Sequence, residues 1–145
     1  MKNLNLTAAI CLALFIASCT GTVSPDPASL GGYWQGEKSF INGEEENSKW
    51  AEGVILGLFP TEEGENFYYR VYENGTWVLE GDQLKCFPRE GLKLPTTKYT
   101  IAELTDNRLI LERRNIRAKE LERKIDGISP DDIITVREEF RRKEK

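Results

Sequence analysis

From residue 31 onward the apolar positions come in short runs, each closed by a pair of turn-forming residues. The breaks are Asn42-Gly43, Glu63-Gly64, Asn74-Gly75, Gly81-Asp82, Asp106-Asn107 and Asp126-Gly127. Asn-Gly tolerates the positive φ of a tight hairpin turn, so these pairs read as reversals of chain direction. Between them lie β-branched and aromatic runs: Val54–Phe59, Phe67–Tyr72, Trp77–Leu79, Tyr99–Ile101, Leu109–Leu111 and Ile133–Val136, with Leu84–Phe87 reading as a further strand. Many short strands at near-regular spacing predict an all-β antiparallel domain, a sandwich or a barrel.

Strand alternation then sorts the side chains. Phe67, Tyr69 and Val71 share one face, with Tyr68, Arg70 and Tyr72 on the other. In the last strand Ile134, Val136 and Phe140 share a face with Glu138, a carboxylate that requires either a partner or a wet interior. One segment departs from the strand pattern. Residues 115–125 hold good helix formers, Asn115 can cap them and Gly127 can stop them. Leu121, Ile125 and Ile128 form a single stripe, which predicts one short helix before the last strand, with a long hairpin as the alternative.

The first 18 residues differ from all that follows. Lys2, a short apolar run and small residues before Cys19 define a secretory signal, and the run is too short to span a bilayer. Ile16-Ala17-Ser18-Cys19 resembles the bacterial lipobox, which implies signal-peptidase recognition through Ile16, Ala17 and Ser18 and acylation of the Cys19 thiol. Residues 19–29 are small, polar and proline-bearing and read as a lipidated tether, leaving residues 30–145 as the domain. The resemblance, with Thr20 after the cysteine in place of aspartate, implies an outer-membrane lipoprotein facing the periplasm. Cys11 leaves with the signal and Cys19 with the lipid, so Cys86 has no intramolecular partner and reads as a small apolar strand residue.

Composition narrows the function classes. The 145 residues carry a net charge of -4, 39% hydrophobic and 30% charged residues, and no histidine. That is one globular domain. Without histidine there is no Ser-His-Asp or Cys-His nucleophile system and no common transition-metal ligand. Glu44-Glu45-Glu46 and Glu62-Glu63 fall in polar loops where carboxylates make poor general acids. No calcium loop or phosphate-binding glycine loop occurs, so no enzyme, metal or cofactor is expected. Basic residues cluster after residue 100 but are interleaved with glutamates, which reads as a solvated face; nucleic acid is not an expected partner for an acidic, exported chain.

Leu30-Gly31-Gly32-Tyr33-Trp34 resembles the Gly-x-Trp that opens the first strand of lipocalins. Residues 69–77, 80–84, 99–106 and 108–112, in that order, are similar to the small lipocalin-like lipoproteins of bacteria, and Ile134–Arg142 fits their terminal strand. The resemblance implies an up-and-down barrel of about eight strands, with Trp34 at the closed end and an arginine of the last strand against it. Arg137 is the expected partner, with Arg141 the alternative. It also implies a cavity for a small hydrophobic ligand, lined by some of Phe67, Tyr69, Trp77 and Leu79. The alternative is a filled barrel acting as a protein-interaction module through loop 42–49 or helix 115–125. Small inward residues would favour a cavity; stacked aromatics would favour a filled core.

Overall fold

A computed structural model describes residues 25–144, so Ile16, Ala17, Ser18 and the lipid-attachment residue Cys19 lie outside the described residues. Strand β1 (Gly32–Ile41) turns at Asn42-Gly43 into the two-residue β2 (Glu44–Glu45). Then follow β3 (Ile55–Phe59), β4 (Asn66–Arg70), β5 (Glu73–Glu80), β6 (Gln83–Pro88), β7 (Thr97–Leu104), β8 (Arg108–Arg117) and β9 (Ile133–Arg142). β1 pairs antiparallel with both β2 and β3, each strand from β3 onward pairs antiparallel with the next, and β9 returns to pair with β1. With β2 as a flap on β1, the sheet is a closed, eight-stranded, up-and-down antiparallel barrel, one of the two all-β architectures the strand pattern allows and the one the resemblance implies.

The two ends are built differently. At one end the short helix α1 (Pro27–Leu30) is fixed by a capping box in which Asp26 and Ser29 satisfy each other's backbone N–H groups. Its residues 27–29, read from composition as tether, therefore belong to the folded domain. Leu30 and Trp34 plug this end, and Trp34 Nε1 donates to the Leu30 carbonyl at 2.9 Å. The opposite end is reached by the β4–β5, β6–β7 and β8–β9 connections and is less completely filled.

Helix α2 (Ser48–Glu52) bridges β1 and β3. It lies so close to β1 that a Cβ at Gly36 would collide with the Ala51 carbonyl. Gly36 N–H donates to Val54 O at 2.9 Å at the same place. Only glycine permits that approach.

Two sequence expectations change here. Asn74-Gly75 is not a turn but lies inside β5, and the chain reverses at Val71-Tyr72, as the pair Arg70↔Glu73 shows. Gly75 is needed for close packing, since a Cβ there would strike the Phe87 carbonyl and the Tyr68 ring. The helix expected over 115–125 is replaced by strand and a single 3-10 turn, Ala118–Leu121. β8 continues to Arg117 because Ile116 and Arg117 pair with Ile134 and Ile133, and Glu122 stops the turn in the left-handed region at φ 54°. The apolar stripe Leu121, Ile125 and Ile128 still finds burial, as a lid on Ile41, Ala118, Ile134 and Val136.

Candidate functional site

Burial decides which face of each strand looks inward. Tyr68 is buried while Phe67 and Tyr69 are exposed, so of the four residues expected to line a cavity, Phe67 and Tyr69 stand on the outer wall. The other two point inward: Trp77 is buried in the core and Leu79 packs against it. Trp77 Nε1 donates to the Phe67 carbonyl at 2.8 Å. Trp34, Tyr68, Trp77, Tyr99 and Phe140 share the interior with leucines and Ile101, so the middle of the barrel is filled by side chains.

Trp34 sits at the closed end as the resemblance implies, but its cationic partner is Arg142. The Arg142 guanidinium lies over the indole with Cζ 4.1 Å from the ring centroid. It donates to the carbonyls of Gly31 at 2.5 Å, Ser29 at 2.8 Å and Asp106 at 2.5 Å. Register explains the choice, because Trp34 pairs with Arg142 while Arg137 pairs with Phe40. Arg137 lies on the outer wall beside Glu112 and Glu139, and Arg141 lies outside against Glu37.

The open end carries a constellation that strand alternation foreshadowed only in part. Glu138 does lie inside, and its partner is Arg70 from β4. Arg70 grips it bidentately, Nη2 to Oε1 at 2.5 Å and Nη1 to Oε2 at 3.2 Å. Arg70 Nη1 also donates to the Tyr99 hydroxyl at 3.2 Å. Tyr99 is flanked by two guanidiniums, with Arg70 Cζ 5.7 Å and Arg113 Cζ 5.8 Å from its ring centroid. Beside them the Tyr68 hydroxyl donates to Glu73 at 2.5 Å.

Electrostatics follow from this packing. Burial pushes the Tyr99 phenol well above its ordinary range, although Arg70 and Arg113 pull the other way. Burial and the hydrogen bond to Glu73 together push Tyr68 higher still. Desolvation works against the charge on Arg70, but the Glu138 carboxylate outweighs it and holds the guanidinium firmly protonated. Cys86, buried nearby, has its thiol pushed up to about 12 by desolvation, with Glu73 adding to the shift and Arg70 opposing it.

A cavity of about 150 Å³ opens above this cluster. Arg70, Arg113, Tyr99 and Glu138 form its floor, and Leu94, Pro95, Leu121 and Val136 are among its walls. Arg113 reaches Glu120 at 3.6 Å through Nη2, yet its Nε is buried without a hydrogen-bond partner, the one such side-chain atom among the described residues. Across the lid, Arg123 holds Glu46 through two 2.7 Å bonds and lies over the Trp50 ring at 5.2 Å. None of Arg70, Arg113 or Tyr99 was singled out from the sequence as a site residue. The available signal was Glu138, whose need for a cation selects the Tyr68–Arg70 face as the inner one.

No family model matches the chain, and no curated protein matches it. Among solved structures it is similar to the crystal structure of a lipocalin-like protein from Bacteroides uniformis, with a TM-score of 0.46 and 13% sequence identity. The match covers 79% of this chain and 98% of that one.

Proposed function

We propose that the protein is a lipid-anchored binding protein of the bacterial cell envelope, held through Cys19 at the periplasmic face of the outer membrane. In this reading the open end of its barrel receives a small ligand with an apolar body and a single acceptor head, a compact carboxylate. The observation that carries the ligand class is Arg113, whose buried Nε–H lacks an acceptor beside a largely polar cavity with an apolar side formed by Leu94, Pro95, Leu121 and Val136. A buried donor without a partner costs about 1–3 kcal/mol, which an incoming carboxylate would recover. The volume suits a ring-sized molecule; a dry apolar cavity of about 150 Å³ is enough for benzene. The filled interior below leaves no room for a long acyl chain. Carriage or sensing is the proposed activity, with no catalytic step. The filled core also favours a second reading, a barrel that works through protein contacts alone, and one experiment separates the two.

The mature chain, purified from its own host, is analysed by native mass spectrometry and then titrated with benzoate while backbone amides of Tyr99, Arg113 and Val136 are followed by NMR. A co-purifying small mass or saturable benzoate shifts at those amides are expected, weakened at least tenfold in Arg113→Met. No added mass, with no benzoate response up to millimolar concentration, would remove the ligand and leave the interaction module.

A further inference from the structure

The outward positions of the barrel divide into two unlike walls. On β7, β8 and β9 the outer side chains are mostly ionic, tied by pairs such as Arg108–Glu139 at 3.1 Å and Arg137–Glu112 at 3.7 Å. On β1 and β3–β6 the outward positions include two rows of aromatic residues. The register places Phe59 opposite Phe67, Phe67 opposite Thr76 and Thr76 opposite Phe87, a row crossing four adjacent strands. In the next row Gly57 lies between Tyr33 and Tyr69. The Phe59 ring lies over Gly57 and meets Tyr33 edge-on with ring centroids 5.2 Å apart. Tyr33 and Phe67 are each 44% exposed, Tyr69 43% and Phe87 39%. The aromatic rows themselves carry no charge; beside them charged outward residues of these strands are paired, Glu80 with Lys85 at 2.5 Å and Glu37 with Arg141 at 3.3 Å. At about 4.8 Å per strand the wall is roughly 20 Å wide, contiguous across neighbouring strands and not a scatter of single apolar residues.

The position of the N-terminus selects the occupant. Six residue steps separate Cys19 from Pro25, the first described residue, which reach at most about 20 Å when extended. Helix α1 follows at once, and its Ala28 borders a groove shared with Tyr33, Phe59 and Pro60. The anchored end of the chain therefore enters the domain beside the aromatic wall, and a barrel held this closely stays within contact range of the bilayer. A patch of tyrosine and phenylalanine rings flanked by paired charges suits the headgroup–acyl boundary, where aromatic side chains concentrate.

We infer that the aromatic wall of β1 and β3–β6 lies against the bilayer that carries the anchor, fixing the barrel on its side with the ionic wall toward water. This rests on the Cys19 anchor proposed above, and the test separates the two. The acylated mature chain is reconstituted in phosphatidylethanolamine–phosphatidylglycerol vesicles with brominated acyl chains. Fluorescence is compared for Phe67→Trp on the aromatic wall and Lys98→Trp on β7. At least twofold additional quenching for Phe67→Trp, and none for Lys98→Trp, is expected. Vesicle-bound chain without quenching for Phe67→Trp overturns the docked wall and leaves the anchor standing.

Mass spectrometry of Cys19 reports the anchor independently. If Cys19 carries no acyl group, flotation of the unacylated chain with the same vesicles decides the wall. Recovery with lipid that falls at least fivefold in Tyr33→Ser/Phe67→Ser/Phe87→Ser, at unchanged melting temperature, supports it, and no recovery overturns it. Sedimentation in lipid-free buffer completes the test: a dimer abolished by those three changes would show that the wall meets a second copy instead.

Discussion

Trp34 and Arg142 form the contact most directly tested by single substitutions. Trp34 is fully buried, so Trp34→Ala should lower the unfolding free energy by about 3–5 kcal/mol. Arg142→Ala removes the cation–π contact and three carbonyl partners and should cost about 2–3 kcal/mol. A double-mutant cycle by urea denaturation should give a coupling near 1 kcal/mol or more; additive losses would mean that the stack contributes nothing. The sequence already held the right arginine. Stepping by two from Ile134 through Val136, Glu138 and Phe140 reaches Arg142, whereas Arg137 and Arg141 fall on the opposite parity. The resemblance suggested an arginine of the last strand, and strand parity was the stricter guide.

A second residue-scale prediction concerns Val71. It takes the first position of a two-residue hairpin at φ 50°, where a β-branched side chain is strained. Val71→Gly should therefore stabilise the protein by about 0.5–1 kcal/mol, read as a raised melting temperature. This turn escaped sequence reading because Asn74-Gly75 nearby is the stronger hairpin signal, and Gly75 is there for packing instead. Cys86 behaves as its strand context suggests. With the folded thiol pushed up to about 12 and the unfolded one near 9, the folded state retains a proton that the unfolded state gives up. Stability should thus fall as pH rises above 9, and Cys86→Ala should remove the onset of that alkaline limb, leaving the part above 10 that Tyr68 and Tyr99 contribute. In native protein at pH 8 a thiol reagent should leave Cys86 unmodified, and denaturant should expose it.

At the scale of elements, residues 113–132 show where local propensity loses to pairing. Helix formers there are drawn into β8 and one 3-10 turn because β9 offers backbone partners as far as Arg117↔Ile133. The apolar stripe was legible, but its use as a lid over a second small core depends on contacts distant in sequence. That lid is tied to the β1 flap by Arg123 and Glu46. Desolvation tends to raise the Glu46 carboxyl, but hydrogen bonds from Arg123 and Ser39 outweigh it and set the net shift below 4.5. A depressed carboxyl stabilises the folded state above its unfolded value, and the contribution is lost as pH falls through the folded value. The pair should therefore contribute fully at neutral pH and fade below about 4.5. Glu46→Gln should reduce stability at pH 7, and the difference from wild type should shrink as pH falls below 4.5, as measured by urea titration at neutral and at acid pH. An unchanged difference at both would place the effect outside this ion pair.

For the whole molecule, closure is the feature that strand patterns reveal least. Turns and alternation mark a succession of hairpins, but whether the first and last strands meet depends on twist and stagger summed around the sheet. Here β9 zips along β1 from Ile41↔Val136 to Trp34↔Arg142, with one irregularity between Gly36 and Lys38. Beyond the last pair, Lys143 N–H donates to the Tyr33 carbonyl at 2.8 Å. Closure also completes the candidate site, because Arg70 on β4 and Glu138 on β9 meet only across the finished barrel. Ending the chain after Phe140 removes the pairs at Trp34 and Gln35 and uncovers the indole. Such a chain should unfold at markedly lower denaturant concentration, with amide exchange in β1 and β9 accelerating before that in β4–β6. Glu138→Gln offers a contrasting case. It leaves the closing ladder intact but weakens the charge pairing of a mostly buried guanidinium, costing about 2–4 kcal/mol, with exchange faster throughout the barrel in proportion to the lost global stability. Distinct exchange patterns for the two variants would show that closure and the polar site contribute separately; identical patterns would mean that they unfold as one unit.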